Sequence, residues 1–554
     1  MQKESLKELN KMTGFEFTPD QKAAIESQSN MVITACPGSG KTSVIVEKIR
    51  REVAGLQGYK GVIGITFTVK ASKELKQRCK QGGLDTKSSF FGTIDHFCLT
   101  ELIFPFISRL YGKSKYAVEC KSYNDLSEDL KLGLPPLDEV GNEFNTDDYR
   151  AYEQKFKSLH EKGIILLESV GILAVRIIND SLSCRNYIRS KYTSLYIDEY
   201  QDSSQPQHEL FLSLLELGLK AVAVGDVKQS IYAWRGSDPQ FILSLIKKPD
   251  VFEHHIVNVN HRCHPSIVNY ANRIFNSNCT LLPTNEIRVY QWVIGGTQHD
   301  VADYLTESIN KLIADKVVKS LSNIAILVRN NSSLSLLETK LGIPYRIFGE
   351  NPLSLINTSK TKFMSSLLAY YLDHKVLIND VVEEIENYSS LSASSLKDLR
   401  ASIKSISERD SSTIKDAILE LTHKALGEDI VDIEVNALER VLADKNVLKQ
   451  YMPENINEVQ IMTLHKSKGL EFDIVFHLDL YDWIMPKREF IRGCYDEVFT
   501  SWEQDLNLHF VGITRAKEHC ILVNSTNRFN HEGDIKQGKK SQFMTLDGLA
   551  GLYK

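Results

Sequence analysis

The ten residues Ile33-Thr-Ala-Cys-Pro-Gly-Ser-Gly-Lys-Thr42 constrain this chain more than any other stretch. An apolar run from Met31 to Ala35 feeds a Gly-rich turn ending in Gly40-Lys41-Thr42, and a helical pattern continues over residues 43–51. Strand, loop and helix in that order make an α/β unit built around a phosphate-binding loop. Cys36, Pro37, Gly38, Ser39 and Gly40 form a turn small enough for successive backbone N–H groups to converge on phosphate oxygens. Lys41 supplies a point charge to the β- and γ-phosphates, and Thr42 offers a hydroxyl to Mg²⁺. The helix N-terminus adds its positive end. By itself the motif says only that a nucleoside triphosphate is bound, which covers kinases, GTPases, transporters and motors alike.

One core cannot hold the whole chain, since 554 residues predict two to four domains. With 42% hydrophobic and 25% charged residues the composition is that of an ordinary globular chain. A net charge of −5 argues against a surface basic throughout, so any nucleic-acid site is a local channel. Nine cysteines are scattered without a C-x-x-C pair, which suggests neither a structural zinc nor an iron–sulfur cluster and fits a reducing cytosol. The polar start Met1-Gln-Lys-Glu-Ser and the lack of any run of about 18 apolar residues predict a cytoplasmic protein without membrane contact.

Taken in order, the chain offers a series of locally ambiguous signals. Phe17-Thr-Pro-Asp-Gln21 opens a short helix; the Gln21 amide suits an adenine edge, but a solvated helix start explains it as well. Gly61-Val-Ile-Gly-Ile-Thr-Phe67 reads as a buried strand, with Phe67 and Lys70 at its end to meet a base and a phosphate, or simply to face solvent. Residues 99–190 are mostly helical in pattern, broken at Leu134-Pro-Pro136 and by an acidic stretch from Asn142 to Asp148. Ser194-Leu-Tyr-Ile-Asp-Glu-Tyr-Gln-Asp202 is a strand ending in adjacent carboxylates. Downstream of a phosphate loop, Asp198 is placed to hold Mg²⁺ and Glu199 to orient and deprotonate the attacking water. A further strand, residues 221–225, runs into Asp226-Val-Lys-Gln-Ser-Ile-Tyr-Ala-Trp-Arg-Gly236. There Gln229 reads as a phosphate-sensing amide and Tyr232 with Trp234 as a base-stacking platform, against the alternative that Trp234 is a packed core aromatic.

Chain order narrows these readings. The loop, Thr66-Phe-Thr-Val-Lys70, Asp198-Glu-Tyr-Gln-Asp202, Gly225 to Gly236, Asn260-His-Arg262, Thr463-Leu-His-Lys-Ser-Lys-Gly-Leu-Glu-Phe472 and Val511-Gly-Ile-Thr-Arg-Ala-Lys517 resemble, in sequence and order, the motifs of the UvrD/Rep/PcrA-like branch of superfamily 1 helicases. A P-loop kinase or GTPase leaves the motifs after Arg262 unexplained. The resemblance implies an α/β fold of two RecA-like cores with mainly helical insertions, sandwiching ATP. It implies the first core at 1–98 and 191–252, with an insertion at 99–190, and the second at 253–360 and 456–554, with a reduced insertion at 361–455. It assigns Gln21 to adenine, with Lys41, Thr42, Asp198 and Glu199 on phosphate, Mg²⁺ and water, and Gln229 on the γ-phosphate. Arg262 and Arg515 become arginine fingers from the second core, His261 the ring beside adenine, and Glu471 the ribose contact. Phe67, Lys70, Tyr232, Trp234, Arg235, Thr463 and His465 fall in motifs that touch single-stranded DNA in relatives.

The departures from the family are as informative. Thr93-Ile-Asp-His-Phe97 carries Asp95 where relatives have a histidine, and a carboxylate there repels phosphate. Only about 110 residues separate Gly349 from Val459, too few for the large regulatory domain of full-length relatives, with residues 389–395 as a polar linker. After residues 519–523 comes a basic tail around 536–540, which predicts a chain without a fused nuclease domain. This compact form resembles the UvrD-like subunits of Gabija anti-phage systems, which implies a 3′ to 5′ DNA-stimulated ATPase, acting on single-stranded or partly duplex DNA beside a separate OLD-family nuclease. The alternatives are a free-standing repair helicase, or a regulatory subunit that senses ATP and DNA ends with little unwinding.

Overall fold

The computed structural model describes residues 16–136, 143–385, 391–427, 429–489, 491, 497–530 and 532–554. The first five residues, Asn142, Ser389, Ser390 and Cys494, all part of the sequence patterns above, lie outside them. The chain divides into two compact units. One comprises Met1–Val118, Gly133–Gly163 and Glu168–Arg262; the other comprises Glu119–Leu132, Ile164–Leu167 and Cys263–Lys554. Both are α/β and each carries a six-stranded parallel sheet.

In the first unit the strands are β1 (Met31–Ala35), β2 (Gly61–Ile65), β3 (Phe90–Gly92), β6 (Tyr192–Ile197), β7 (Lys220–Gly225) and β8 (Glu253–Val257), in the spatial order β3-β2-β6-β7-β1-β8. β1, β2, β6 and β7 are near-continuous apolar runs because helices cover both faces of a parallel sheet. Ile33, Val62, Tyr196, Val222 and Val224 pack in one cluster with Val44, Ile45 and Ile49 of the helix Lys41–Ala54. All six strands point the same way, so the segments after β1, β2, β6 and β7 emerge at one end of the sheet, where open α/β folds bind ligands.

Strand β8 corrects the expected boundary at 252. It pairs with β1 from Met31↔Glu253 to Ala35↔Val257 and belongs to the first sheet, so this unit runs on to Arg262. Without β8 the edge of β1 would expose a row of unpaired N–H and C=O groups. The polar Glu253-His-His sequence hides the strand because an edge needs less apolar character.

The insertion at 99–190 is mostly helical, though not wholly so. It contains the helices Phe104–Tyr111, Thr146–Glu161, Val170–Asp180 and Leu182–Lys191, and also two strands, β4 (Glu119–Lys121) and β5 (Ile164–Leu166), paired in parallel. The segments bearing these strands cluster with the second unit, where Asp125 accepts from the backbone N–H of Ser359 at 3.2 Å.

The second sheet consists of β9 (Val289–Ile294), β10 (Ile324–Val328), β11 (Tyr345–Phe348), β12 (Val459–Thr463), β13 (Phe472–His477) and β16 (Ala516–Ser525), with β14 (Arg488–Glu489) and β15 (Val498–Phe499) as a separate antiparallel pair. The order is β11-β12-β10-β13-β16-β9. Between β11 and β12 the chain makes a group of helices from Pro352–Ile356 to Lys445–Lys449, starting before the expected residue 361. Phe363, Met364, Leu367, Ile403, Ile418, Leu438 and Val441 give this group its own core. Among the described residues no helix is long and apolar enough to cross a membrane.

Candidate functional site

The phosphate loop leaves β1 and enters the helix Lys41–Ala54 through two left-handed glycines, Gly38 at φ +67° and Gly40 at φ +76°. At Gly38 conformation and space act together, since a Cβ there would stand 2.4 Å from the Arg262 Cβ and 3.0 Å from the Asn260 Oδ1. The segment after β8 holds the loop. Cys36 N–H donates to the Val257 carbonyl at 3.2 Å, His261 N–H to the Gly38 carbonyl at 3.0 Å, and Arg262 N–H to Asn260 Oδ1 at 2.8 Å. Arg262, expected from the second core, thus lies in the first unit with the loop. Its place follows from β8, which brings the chain back alongside β1.

Gln21 is wholly buried, which removes the solvated-helix reading. Its Oε1 accepts from Thr18 N–H and its Nε2 donates to the Ser39 carbonyl, both at 2.8 Å. The amide therefore fastens the capped start of helix Pro19–Glu26 to the loop. Ser39 Oγ is buried without a partner among the described residues, and the Lys41 ammonium forms no hydrogen bond or ion pair there. A buried hydroxyl and a cation left available beside a left-handed turn are the donors a triphosphate requires.

Two carboxylates face that charge. Asp198, at the end of β6, accepts from the Thr42 hydroxyl at 3.1 Å. Burial, followed by the Glu199 carboxylate, pushes its pKa up to about 6, while Lys41 and the Thr42 hydrogen bond pull the other way. Glu199 has φ +56°, costly for a residue with a Cβ and tolerated only where the surroundings fix it. Gln201, to which the sequence pattern assigned no role, ties the parts together. Its Nε2 donates to Glu199 at 2.6 Å, and its Oε1 accepts from the Asp226 N–H at 2.9 Å. Asp226 accepts in turn from Gln229 Nε2 at 2.7 Å, and burial raises its pKa against the pull of Lys41. Gln201 and Asp226 stand inside strings already singled out, yet only their burial reveals that they join two strand ends. Thr42, Asp198, Lys41 and the loop fit a nucleoside triphosphate with Mg²⁺: one hydroxyl and one buried carboxylate for the metal, and N–H groups and a cation for phosphate.

Three residues past Gln229 the chain surfaces as a ring platform. Phe67, from the end of β2, stacks on Tyr232 with centroids 5.2 Å apart and planes at 15°. Trp234 meets Tyr232 edge-on at 6.4 Å, and the Arg235 guanidinium lies over both, 4.6 Å from the Trp234 ring and 5.3 Å from Tyr232. Trp234 is 57% exposed, so the core-packing reading fails. Lys70, also exposed, lies on the first turn of helix Val69–Lys80.

In the second unit Thr463 ends β12, and His465 and Glu471 follow in the turns before β13. Arg515 is 1% exposed. Its Nε donates to the Val511 carbonyl at 3.0 Å, Nη1 to the Leu470 carbonyl at 3.1 Å and Nη2 to the Thr514 hydroxyl at 3.3 Å. These bonds join the end of helix Trp502–Ile513 to the turn before β13.

Residues 17–103 and 113–250 match the UvrD/REP helicase N-terminal domain, and residues 353–527 match the UvrD-like helicase C-terminal domain. The chain is 27% identical over 520 residues to the Gabija protein GajB of Bacillus cereus, covering 91% of this chain and 95% of that protein. It is 24% identical to the ATP-dependent DNA helicase PcrA of Staphylococcus epidermidis, covering 92% and 83% of the two chains. Identity to the ATP-dependent DNA helicase Rep of Buchnera aphidicola is 26%, over 92% and 94%.

Proposed function

We propose that this chain, which belongs to the UvrD/Rep family of ATP-dependent DNA helicases, is the DNA-stimulated motor of an anti-phage complex and works beside a separately encoded OLD-family nuclease in the cytoplasm. The observation that carries DNA stimulation is the hydrogen-bonded run Glu199–Gln201–Asp226–Gln229, which ends three residues before the Tyr232–Trp234 platform. A base stacking there would displace a segment continuous with the groups around the hydrolytic water. Similarity to GajB over 95% of its length supports the defence role, and movement 3′ to 5′ is inferred from the family resemblance.

In this reading Lys41 and the N–H groups of residues 38–42 hold the triphosphate, and Gln21 positions the loop and meets adenine beside His261. Glu199 orients the attacking water and takes its proton. Mg²⁺, held by Thr42 and Asp198, would neutralise charge on the β- and γ-phosphates. Arg262 and Arg515 stabilise negative charge on the transferring phosphoryl group. Glu471 meets the ribose, and Gln229 reads the γ-phosphate. Phe67, Lys70, Tyr232, Trp234, Arg235, Thr463 and His465 line the DNA strand.

The test is ATP turnover with and without single-stranded DNA, on the chain alone and co-expressed with its nuclease. Turnover should rise with DNA and the two proteins should co-elute. Lys41→Ala should abolish hydrolysis at unchanged melting temperature. Efficient unwinding of long duplexes by a chain that elutes apart from the nuclease would leave a free-standing helicase instead.

A further inference from the structure

At the outer edge of the second sheet, β9 and the helix Gln298–Ala314 enclose a groove of about 570 Å³, which the ATP and DNA sites do not use. Backbone bonds from Cys520 N–H to the Arg288 carbonyl and from Thr526 N–H to the Ile294 carbonyl direct the even-numbered positions of β9 toward β16. Residues 289, 291 and 293 therefore turn their backbone groups outward. The first of these groups are already used. Lys554 N–H donates to the Val289 carbonyl at 3.1 Å, and Gln291 N–H donates to the Lys554 carbonyl at 2.8 Å, a one-residue parallel bridge. This edge is thus shaped to accept a parallel chain. The next pair in the row, the Gln291 carbonyl and the Val293 N–H, makes no hydrogen bond among the described residues, and Val293 is 47% exposed.

Beside this edge the helix presents a stripe of defined chemistry. Asp300, Asp303, Tyr304 and Glu307 recur at the spacing that puts them on one face. Asp300 is occupied as a cap, accepting from Thr297 N–H at 2.7 Å. Asp303 and Glu307 are exposed and form no ion pair among the described residues. The exposed Tyr304 ring stands edge-on to Trp292 at 5.4 Å, so two aromatic rings and two uncommitted carboxylates border one groove.

We infer that this edge docks an extended, Lys- or Arg-bearing segment of a partner protein, added as a parallel strand beyond Gln291. Side chains alternate along a strand, so every second residue of the addition falls on the side of Trp292 and the acidic stripe. Cationic side chains there gain both carboxylate and ring partners. Nucleic acid is the wrong chemistry for this groove, because its phosphates would meet Asp300, Asp303 and Glu307.

A fluorescent peptide of about nine residues alternating Val with Lys tests the inference on the full chain, with a Glu counterpart and a Lys peptide N-methylated at alternate residues as controls. The Lys peptide should bind at low salt and slow hydrogen exchange at Val293. Asp303→Lys combined with Glu307→Lys should weaken binding at least about fivefold with ATP turnover unchanged. The N-methylated peptide should bind poorly because it cannot extend the ladder. Equal binding of the Lys and Glu peptides, indifference to N-methylation, or the same exchange protection from Mg²⁺ alone would each overturn it.

Discussion

The Asp198 carboxyl is held near 6 in the folded chain against 3.8 for a free aspartate, chiefly by burial and then by Glu199. A raised folded-state pKa means that folding favours the protonated acid. The associated stability is full below about pH 3.8 and is lost as pH rises through about 6. At neutral pH the ionised acid is therefore a liability that a bound cation relieves. Asp198→Asn should stabilise the nucleotide-free protein at pH 7.5 by an amount on the order of 3 kcal/mol, with about half of the gain left at pH 5 and hydrolysis lost. Melting curves at the two pH values check this; a destabilisation equal at both would make Asp198 an ordinary acceptor for Thr42. Trp234 acts at the same scale. Because each stacked base contributes about 1–3 kcal/mol, Trp234→Ala should lower DNA-stimulated turnover far more than turnover without DNA. Equal losses would contradict the platform.

Among the elements, helix Pro19–Glu26 depends on a residue outside it. Lys48, buried on the helix Lys41–Ala54, donates to the Ala24 and Ser27 carbonyls, each at 2.8 Å, and so holds the C-terminal end of the helix whose first turn carries Gln21. Burial, and then the Lys220 charge, lowers its pKa to about 8 against the pull of Glu52 and Glu253, so the ammonium persists at neutral pH. Lys48→Met leaves the buried Ala24 carbonyl unpaired, at about 1–3 kcal/mol, loses the half-buried bond to Ser27, and frees Gln21 to shift. The expected result is a lower melting temperature together with a several-fold rise in the ATP KM at nearly constant kcat. An unchanged KM would show that the loop places Gln21 without the helix.

For the whole molecule, a net charge of −5 coexists with DNA binding only if positive charge is local. Lys70 and Arg235 lie in the two segments that build the ring platform. Affinity for a short single strand should fall linearly on a log–log salt plot. Replacing either Lys70 or Arg235 by Ala should reduce the slope by roughly 0.7 if each neutralises one phosphate. Fluorescence titrations at several salt concentrations measure it, and unchanged slopes would move the strand elsewhere.

The phosphate loop, the paired acids and the ring platform were legible as strings because each depends on residue type at close spacing: small residues for N–H convergence, carboxylates at a strand end, aromatics beside an arginine. Apolar runs likewise disclosed the buried strands, and helical spacing disclosed the helices between β11 and β12. Other features required the fold. The polar strand β8 reads as no strand until β1 is beside it, so the boundary at 252 and the placement of Arg262 both needed the sheet. Gln201 and Asp226 become one network only when β6 and β7 stand side by side. Solvent exposure decided Trp234, and its absence decided Gln21. The physical reason is the same throughout: local pattern records what a residue can do, whereas burial, edge pairing and contact across long sequence separation depend on which segments the folded chain brings together.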